Sequence, residues 1–176
     1  MAARVVLQHS DITRALTRIS HEILESNRGG SDLVILGIPT RGTVLAARIG
    51  GILDGIEPGS GAVGTLDVTM YRDDLARRPT RTPQPTLLPP GGIDGKTVVL
   101  VDDVLFSGRT IRAALDAING LGRPKAVRLA VLVDRGHREL PIRADFVGKN
   151  LPTAIAERIN VRVQEIDGAE EVTIEP

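Results

Sequence analysis

The chain of 176 residues has no cysteine. That excludes disulfides and thiolate metal sites and fits a reducing compartment. Tryptophan is absent too, and Tyr71, Phe106 and Phe146 are the only aromatic residues. So few rings exclude a nucleic-acid surface built on rows of stacking platforms. Net charge is also missing, with 22 Lys and Arg against 22 Asp and Glu. No global field therefore draws the protein to nucleic acid or membrane, and a polyanion would have to meet a local basic face. No apolar run approaches the roughly 20 residues of a membrane span, and residues 1–10 lack a signal-length apolar stretch. The expectation is a cytoplasmic protein with no membrane partner, folded as one domain over 1–176.

What is present is an alternation of apolar strands and amphipathic helices. Ser10 reads as the N-cap of a helix with Ile12, Ala15, Leu16, Ile19 and Ile23 at helical spacing, stopped by Gly29-Gly30. Asp32 to Ile38 reads as a buried strand, Thr43 to Leu53 as a helix, and Val63 to Tyr71 as an alternating strand. A strand over 97–101, a helix over 109–121 and a strand from Ala126 to Asp134 follow. Phe146 to Gly148, Ile159 to Ile166 and Glu171 to Glu175 read as further strands, the last at an edge. This order predicts an α/β fold with a mostly parallel sheet flanked by helices on both faces.

The most informative stretch is Val101-Asp102-Asp103-Val104-Leu105-Phe106-Ser107-Gly108-Arg109-Thr110. A buried strand runs into two adjacent carboxylates, then a small-residue turn opens a helix. Orphan N–H groups and the helix dipole make such a turn an anion cradle. Neither a Gly-x-x-x-x-Gly-Lys-Ser/Thr loop nor a Gly-x-Gly-x-x-Gly fingerprint is present. The remaining chemistry is a phosphate site with two acids beside it, suited to a phosphorylated sugar whose hydroxyls donate to the carboxylates. Thr40-Arg41-Gly42 directly follows another buried strand, where glycine permits a tight turn and arginine can hold an oxyanion bidentately. Tyr71-Arg72-Asp73-Asp74 and Asp134-Arg135-Gly136-His137 also follow strands. Ligands bind beyond the carboxyl ends of strands in such sheets, so these four segments are expected to converge.

Residues 72–90, with Arg72, Arg77, Arg78 and Arg81, form a long polar segment, read as a flexible lid that excludes water from substrate. Arg14, Arg18 and His21 share one face of the first helix. Arg135, His137, Arg138, Arg143 and Lys149 form a second basic cluster. Together they suggest a local polyanion footprint on a neutral protein.

The chain resembles the PyrR family, whose members join regulation of a pyrimidine operon to uracil phosphoribosyltransferase activity. The matching stretches are residues 14–22, Thr40-Arg41-Gly42, residues 71–75 and 101–110, and the run Leu129 to Asn150, which contains Asp134-Arg135-Gly136-His137-Arg138-Glu139-Leu140-Pro141-Ile142-Arg143-Ala144-Asp145. The acid-pair motif resembles the phosphoribosyl-pyrophosphate (PRPP) motif of type I phosphoribosyltransferases at large; the last stretch is far more specific. The resemblance implies the type I phosphoribosyltransferase fold and catalysis of uracil plus PRPP to UMP and diphosphate, with Mg²⁺ arriving on PRPP and no direct metal ligands. It implies binding of UMP or UTP, leader mRNA of the pyrimidine operon as partner, and a homodimer or dimer of dimers. Asp102, Asp103 and Arg41 carry over as catalytic residues. Thr40, Tyr71, Arg72, Asp73, Val104, Leu105, Phe106, Ser107, Gly108, Arg109, Thr110 and Arg135 carry over to the PRPP and UMP site. Thr17, Arg18, His21, His137, Arg138, Arg143 and Lys149 carry over to the RNA-binding side. Pro39 stands where the family often has Lys, and Phe106 where Tyr is common. A nucleotide-sensing regulator with vestigial catalysis, or a transferase for another base, stays open on the residues alone.

Overall fold

The computed structural model describes residues 2–74 and 82–176. The proposed lid's Arg77, Arg78 and Arg81 lie outside them. The chain order is β1 (Arg4–Gln8), α1 (His9–Asn27), β2 (Leu33–Gly37), α2 (Arg41–Ile56), β3 (Val63–Thr65), β4 (Thr97–Leu105) and α3 (Arg109–Asn119). It continues with β5 (Ala126–Asp134), β6 (Phe146–Asn150), β7 (Arg158–Arg162), α4 (Gln164–Asp167) and β8 (Glu171–Glu175).

Five strands pair in the order β3-β2-β4-β5-β6, every pairing parallel. Side chains alternate across a strand, so β2 and β4 each feed two cores. Leu33, Ile35, Val99 and Val101 meet Ile12, Leu16, Ile19, Leu45, Ile49 and Leu53 of α1 and α2. Val34, Leu36, Val98 and Leu100 meet Ile111, Ala114 and Ile118 of α3 on the opposite face. Full burial stabilises each such aliphatic side chain by about 1.5–3 kcal/mol, which fixes the central strands as a platform. The expected parallel sheet covered on both faces is present. A second sheet, β1-β8-β7, is antiparallel and sends Leu7, Val161 and Val172 into the α1–α2 core.

The structure corrects several sequence-based boundaries. The first helix begins at His9 and not after Ser10: Asp11 reaches back to the Gln8 N–H at 2.8 Å in a capping box. Residues 63–71 are a three-residue strand followed by a 3-10 turn at Thr69–Tyr71. β7 stops at Arg162 and α4 takes up the following residues, so the period-two pattern of 159–166 is only half strand. Glu171–Glu175 is not an edge: β8 lies between β1 and β7. β4 continues past residue 101 to Leu105, pairing Asp102, Val104 and Leu105 with Val131, Val133 and Asp134.

Candidate active site

Because β4 continues, the acid pair lies within the last residues of the strand and not beyond them. Asp102 accepts the Asp103 N–H at 2.8 Å, and Asp103 accepts the Val104 N–H at 2.8 Å. Each carboxylate thus bonds the next amide along the chain. Asp102 is buried, 8% exposed, while Asp103 is half-buried. Burial first, and the charge of Asp103 second, push the Asp102 carboxyl well above its ordinary range, with Arg72 opposing. The side chains of Val104 and Leu105 belong to the two cores.

Beyond Leu105, Phe106 is exposed and Gly108 turns the chain into α3 at φ 93°, a left-handed conformation that favours glycine. As the N-cap, Gly108 has no side chain to offer this helix. Ser107 Oγ accepts the Arg109 N–H at 3.3 Å, and the Ser107 carbonyl accepts the N–H groups of Glu139 and Leu140. The turn is therefore held from outside and presents an open helix N-terminus, the arrangement that receives phosphate.

The turn after β2 lies directly against the acid pair. The Ile38 N–H donates to the Val101 carbonyl at 2.9 Å, and Thr43 Oγ1 donates to the Thr40 carbonyl at 2.7 Å. The Pro39–Thr40 peptide is cis. A Cβ on Gly42 would fall 2.5 Å from the Val101 carbonyl oxygen, so only glycine lets this turn approach β4 so closely. Arg41, the first residue of α2, donates through Nε and Nη2 to both oxygens of Asp167 at 3.1 and 2.6 Å. Arg41, Asp103 and Asp167 line a cleft of about 360 Å³ with Asn160 and Arg162. Asp167 was not anticipated from sequence; a partner 126 residues away leaves no local signal.

Arg72 donates to Thr110 Oγ1 at 3.0 Å and to both oxygens of Asp74 at 3.0 and 3.3 Å. Arg109 reaches Asp73 at 2.6 Å. These contacts fasten residues 72–74 to the start of α3. Tyr71 is exposed on its 3-10 turn.

At the end of β5, Arg135 is buried, 7% exposed, with its guanidinium 4.2 Å from the Phe106 ring centroid. It donates to Thr153 Oγ1 at 3.0 Å and to the Ala154 carbonyl at 2.9 Å. His137 packs edge-on to Phe106 and bonds the Thr153 carbonyl. Arg138 donates to the carbonyls of Phe106 and Ile142 and to Asp134. Arg135, His137 and Arg138 share a cleft of about 510 Å³ with Asn150 and Thr153. The structure thus brings His137 and Arg138 together with Arg135 and Phe106. Both are half-buried, and their hydrogen bonds run to carbonyls and to Asp134. Thr153 was also missed, being a plain loop residue in sequence.

The α1 cluster lies beside β6. Arg18 donates to the Val147 and Gly148 carbonyls at 3.2 and 2.6 Å and to Glu22 at 2.8 Å. Thr17 Oγ1 donates to the Thr13 carbonyl. Arg14, His21, Arg143 and Lys149 are exposed. Contacts of α1 with β6 bring Lys149 close to this helix, while Arg143 precedes the strand.

The chain matches the family described as Phosphoribosyl transferase domain over residues 4–165. Hypoxanthine phosphoribosyltransferase of Trypanosoma cruzi has a similar fold, with a TM-score of 0.73 at 17% identity, covering 98% of this chain and 91% of that one. Acid pair, α3 N-terminus and glycine-dependent turn on this sheet define a phosphoribosyltransferase of the type I fold. Proteins named Bifunctional protein PyrR are much nearer in sequence. That of Leifsonia xyli subsp. xyli is 75% identical, over 99% of this chain and 98% of its own. That of Streptomyces coelicolor is 61% identical, over 98% of this chain and 89% of its own. The chain belongs to the PyrR family.

Proposed function

We propose that this protein transfers ribose 5-phosphate from PRPP to uracil, giving UMP and diphosphate, and that it binds pyrimidine leader mRNA in response to uridine nucleotides. One observation carries the enzymatic reading: the 39–42 turn is seated on the acid pair at the mouth of α3, with Gly42 against Val101. Diphosphate, ribose and 5-phosphate need three adjacent surfaces, and this junction supplies them in that order.

In the reaction the bond from uracil N1 to the anomeric carbon forms as the bond to the diphosphate oxygen breaks, and the N1 proton leaves to the departing diphosphate or to solvent. Positive charge builds on the sugar and negative charge on the leaving group. The protein's task is electrostatic and positional. Asp103 and Asp102 accept from the ribose hydroxyls and keep negative charge beside the cationic ring. The α3 N-terminus with Ser107, Gly108, Arg109 and Thr110 receives the 5-phosphate, displacing the Arg72–Thr110 contact. Arg41 and Thr40 meet the diphosphate. Arg135 and Phe106 wall the nucleotide end. Mg²⁺ would reach this site on PRPP, with the hard carboxylate oxygens of Asp102 and Asp103 beside it. Bound there, it would neutralise diphosphate charge.

For RNA, the face of α1 with Thr17, Arg18 and His21, joined by Lys149 and Arg143, supplies the basic surface of an otherwise neutral chain. Assembly is as a homodimer or dimer of dimers in the cytoplasm; no helix among the described residues is long and apolar enough to cross a membrane. The deciding experiment measures turnover of PRPP with uracil, hypoxanthine, guanine and orotate in parallel. Uracil alone should be consumed; preference for a purine overturns the substrate assignment.

A further inference from the structure

We infer that Asp167 is a positioning residue for the transfer, acting through Arg41; this rests on the reading of Arg41 as a diphosphate ligand. Arg41 is the first residue of α2, where the helix's positive end disfavours a cation, and α2 has no acidic residue in its first turn. The counter-charge comes from α4 instead. Asp167 takes Nε and Nη2 in a fork, and its Oδ2 also accepts the Val163 N–H at 2.8 Å. That backbone bond fixes the carboxylate plane, and the fork then fixes the guanidinium plane. Among the described residues Nη1 has no hydrogen-bond partner, and Arg41 and Asp103 line the same cleft. The result is an arginine held by one edge with the other edge left for the leaving group.

A merely structural tether between α2 and α4 would be redundant here. Seven residues along the same helix, Arg48 bonds both oxygens of Glu165 at 2.9 and 2.8 Å and also reaches Glu170. That second clamp joins the same elements without touching Arg41, and it provides the control.

The test is calorimetric binding of inorganic diphosphate with Mg²⁺ to the full-length protein, run beside steady-state UMP synthesis. Asp167→Asn should weaken diphosphate binding by about ten- to a hundredfold, the range for losing a charged hydrogen-bonding partner. It should lower kcat/KM for PRPP in parallel and leave KM for uracil unchanged. Asp167→Glu should recover part of the loss, and Glu165→Gln should match wild type in both assays. In an Arg41→Gln background, Asp167→Asn should add nothing. Unchanged or tighter diphosphate binding in Asp167→Asn overturns the proposal, making Asp167 a passive clamp or a competitor. Equal losses in Asp167→Asn and Glu165→Gln overturn it too. A wild-type protein that makes no UMP overturns the enzymatic reading, while the diphosphate isotherms still decide the Asp167–Arg41 coupling.

Discussion

Gly42→Ala perturbs the junction of the two loops by a single methyl group. The added Cβ would lie 2.5 Å from the Val101 carbonyl oxygen and 3.3 Å from Asp102 Cα. Both are backbone atoms of β4, which is paired on one side with β2 through Gly37 and on the other with β5 through Ala130. Neither can yield without breaking a ladder, so the 39–42 turn must move instead. Reaching ordinary contact near 3.4 Å from 2.5 Å requires a retreat of about 0.9 Å. Overpacking of this kind costs about 1–3 kcal/mol, and at about 2–4 °C per kcal/mol for a chain of this size the melting temperature should fall by several degrees. A displacement near 1 Å in a positioning element costs on the order of a hundredfold in rate. Gly51→Ala is the matched control: it lies within α2 with nothing within 4 Å of the new Cβ. It should stabilise by about 0.5–1 kcal/mol and leave turnover alone. Thermal melting and kcat/KM for PRPP on the two variants decide the matter. A Gly42→Ala protein with wild-type melting and wild-type kcat/KM refutes the close-approach reasoning.

Asp102→Asn should abolish turnover yet raise stability at neutral pH, because burial and Asp103 push the Asp102 carboxyl up in the folded state. A raised carboxyl contributes its stability below the unfolded value and loses it as pH rises through the folded one, so the advantage of Asn should grow from pH 4 upward; urea melts at several pH values check this, and a constant difference contradicts it. Chelating Mg²⁺ with EDTA should stop UMP formation without shifting the melting temperature of the free protein. Replacing Lys149 and Arg143 by Gln should weaken leader-RNA binding, spare UMP synthesis, and lower the salt slope by about 0.7 for each lost contact to a single strand, as read by filter binding across a salt series.

The central sheet was legible because β2, β4 and β5 are apolar runs buried on both faces, a pattern that survives without tertiary information. Strand ends were less so. Asp102 and Asp103 read as the stop of β4, yet each satisfies the next amide itself, so the ladder to β5 continues beneath them. β1 was missed and β8 misplaced for one reason: they belong to a second sheet joining the two ends of the chain, and no local spacing records that pairing. At the site, the motif 101–110 and the turn 40–42 announced themselves through residue type. The partners that aim them did not, since Asp167 for Arg41 and Thr153 for Arg135 are ordinary polar residues until the fold brings them near. His137 and Arg138 likewise meet Thr153, Phe106 and Ile142 through contacts that no local spacing records.

The most direct test of the phosphoribosyl-transfer site is the initial rate of UMP formation from saturating PRPP, Mg²⁺ and uracil by wild type and Asp103→Ala, side by side. Asp103 is half-buried at the cleft, so its loss should leave folding intact and lower the rate by at least about tenfold. Equal rates from the two proteins would contradict the assignment of the acid pair to ribose.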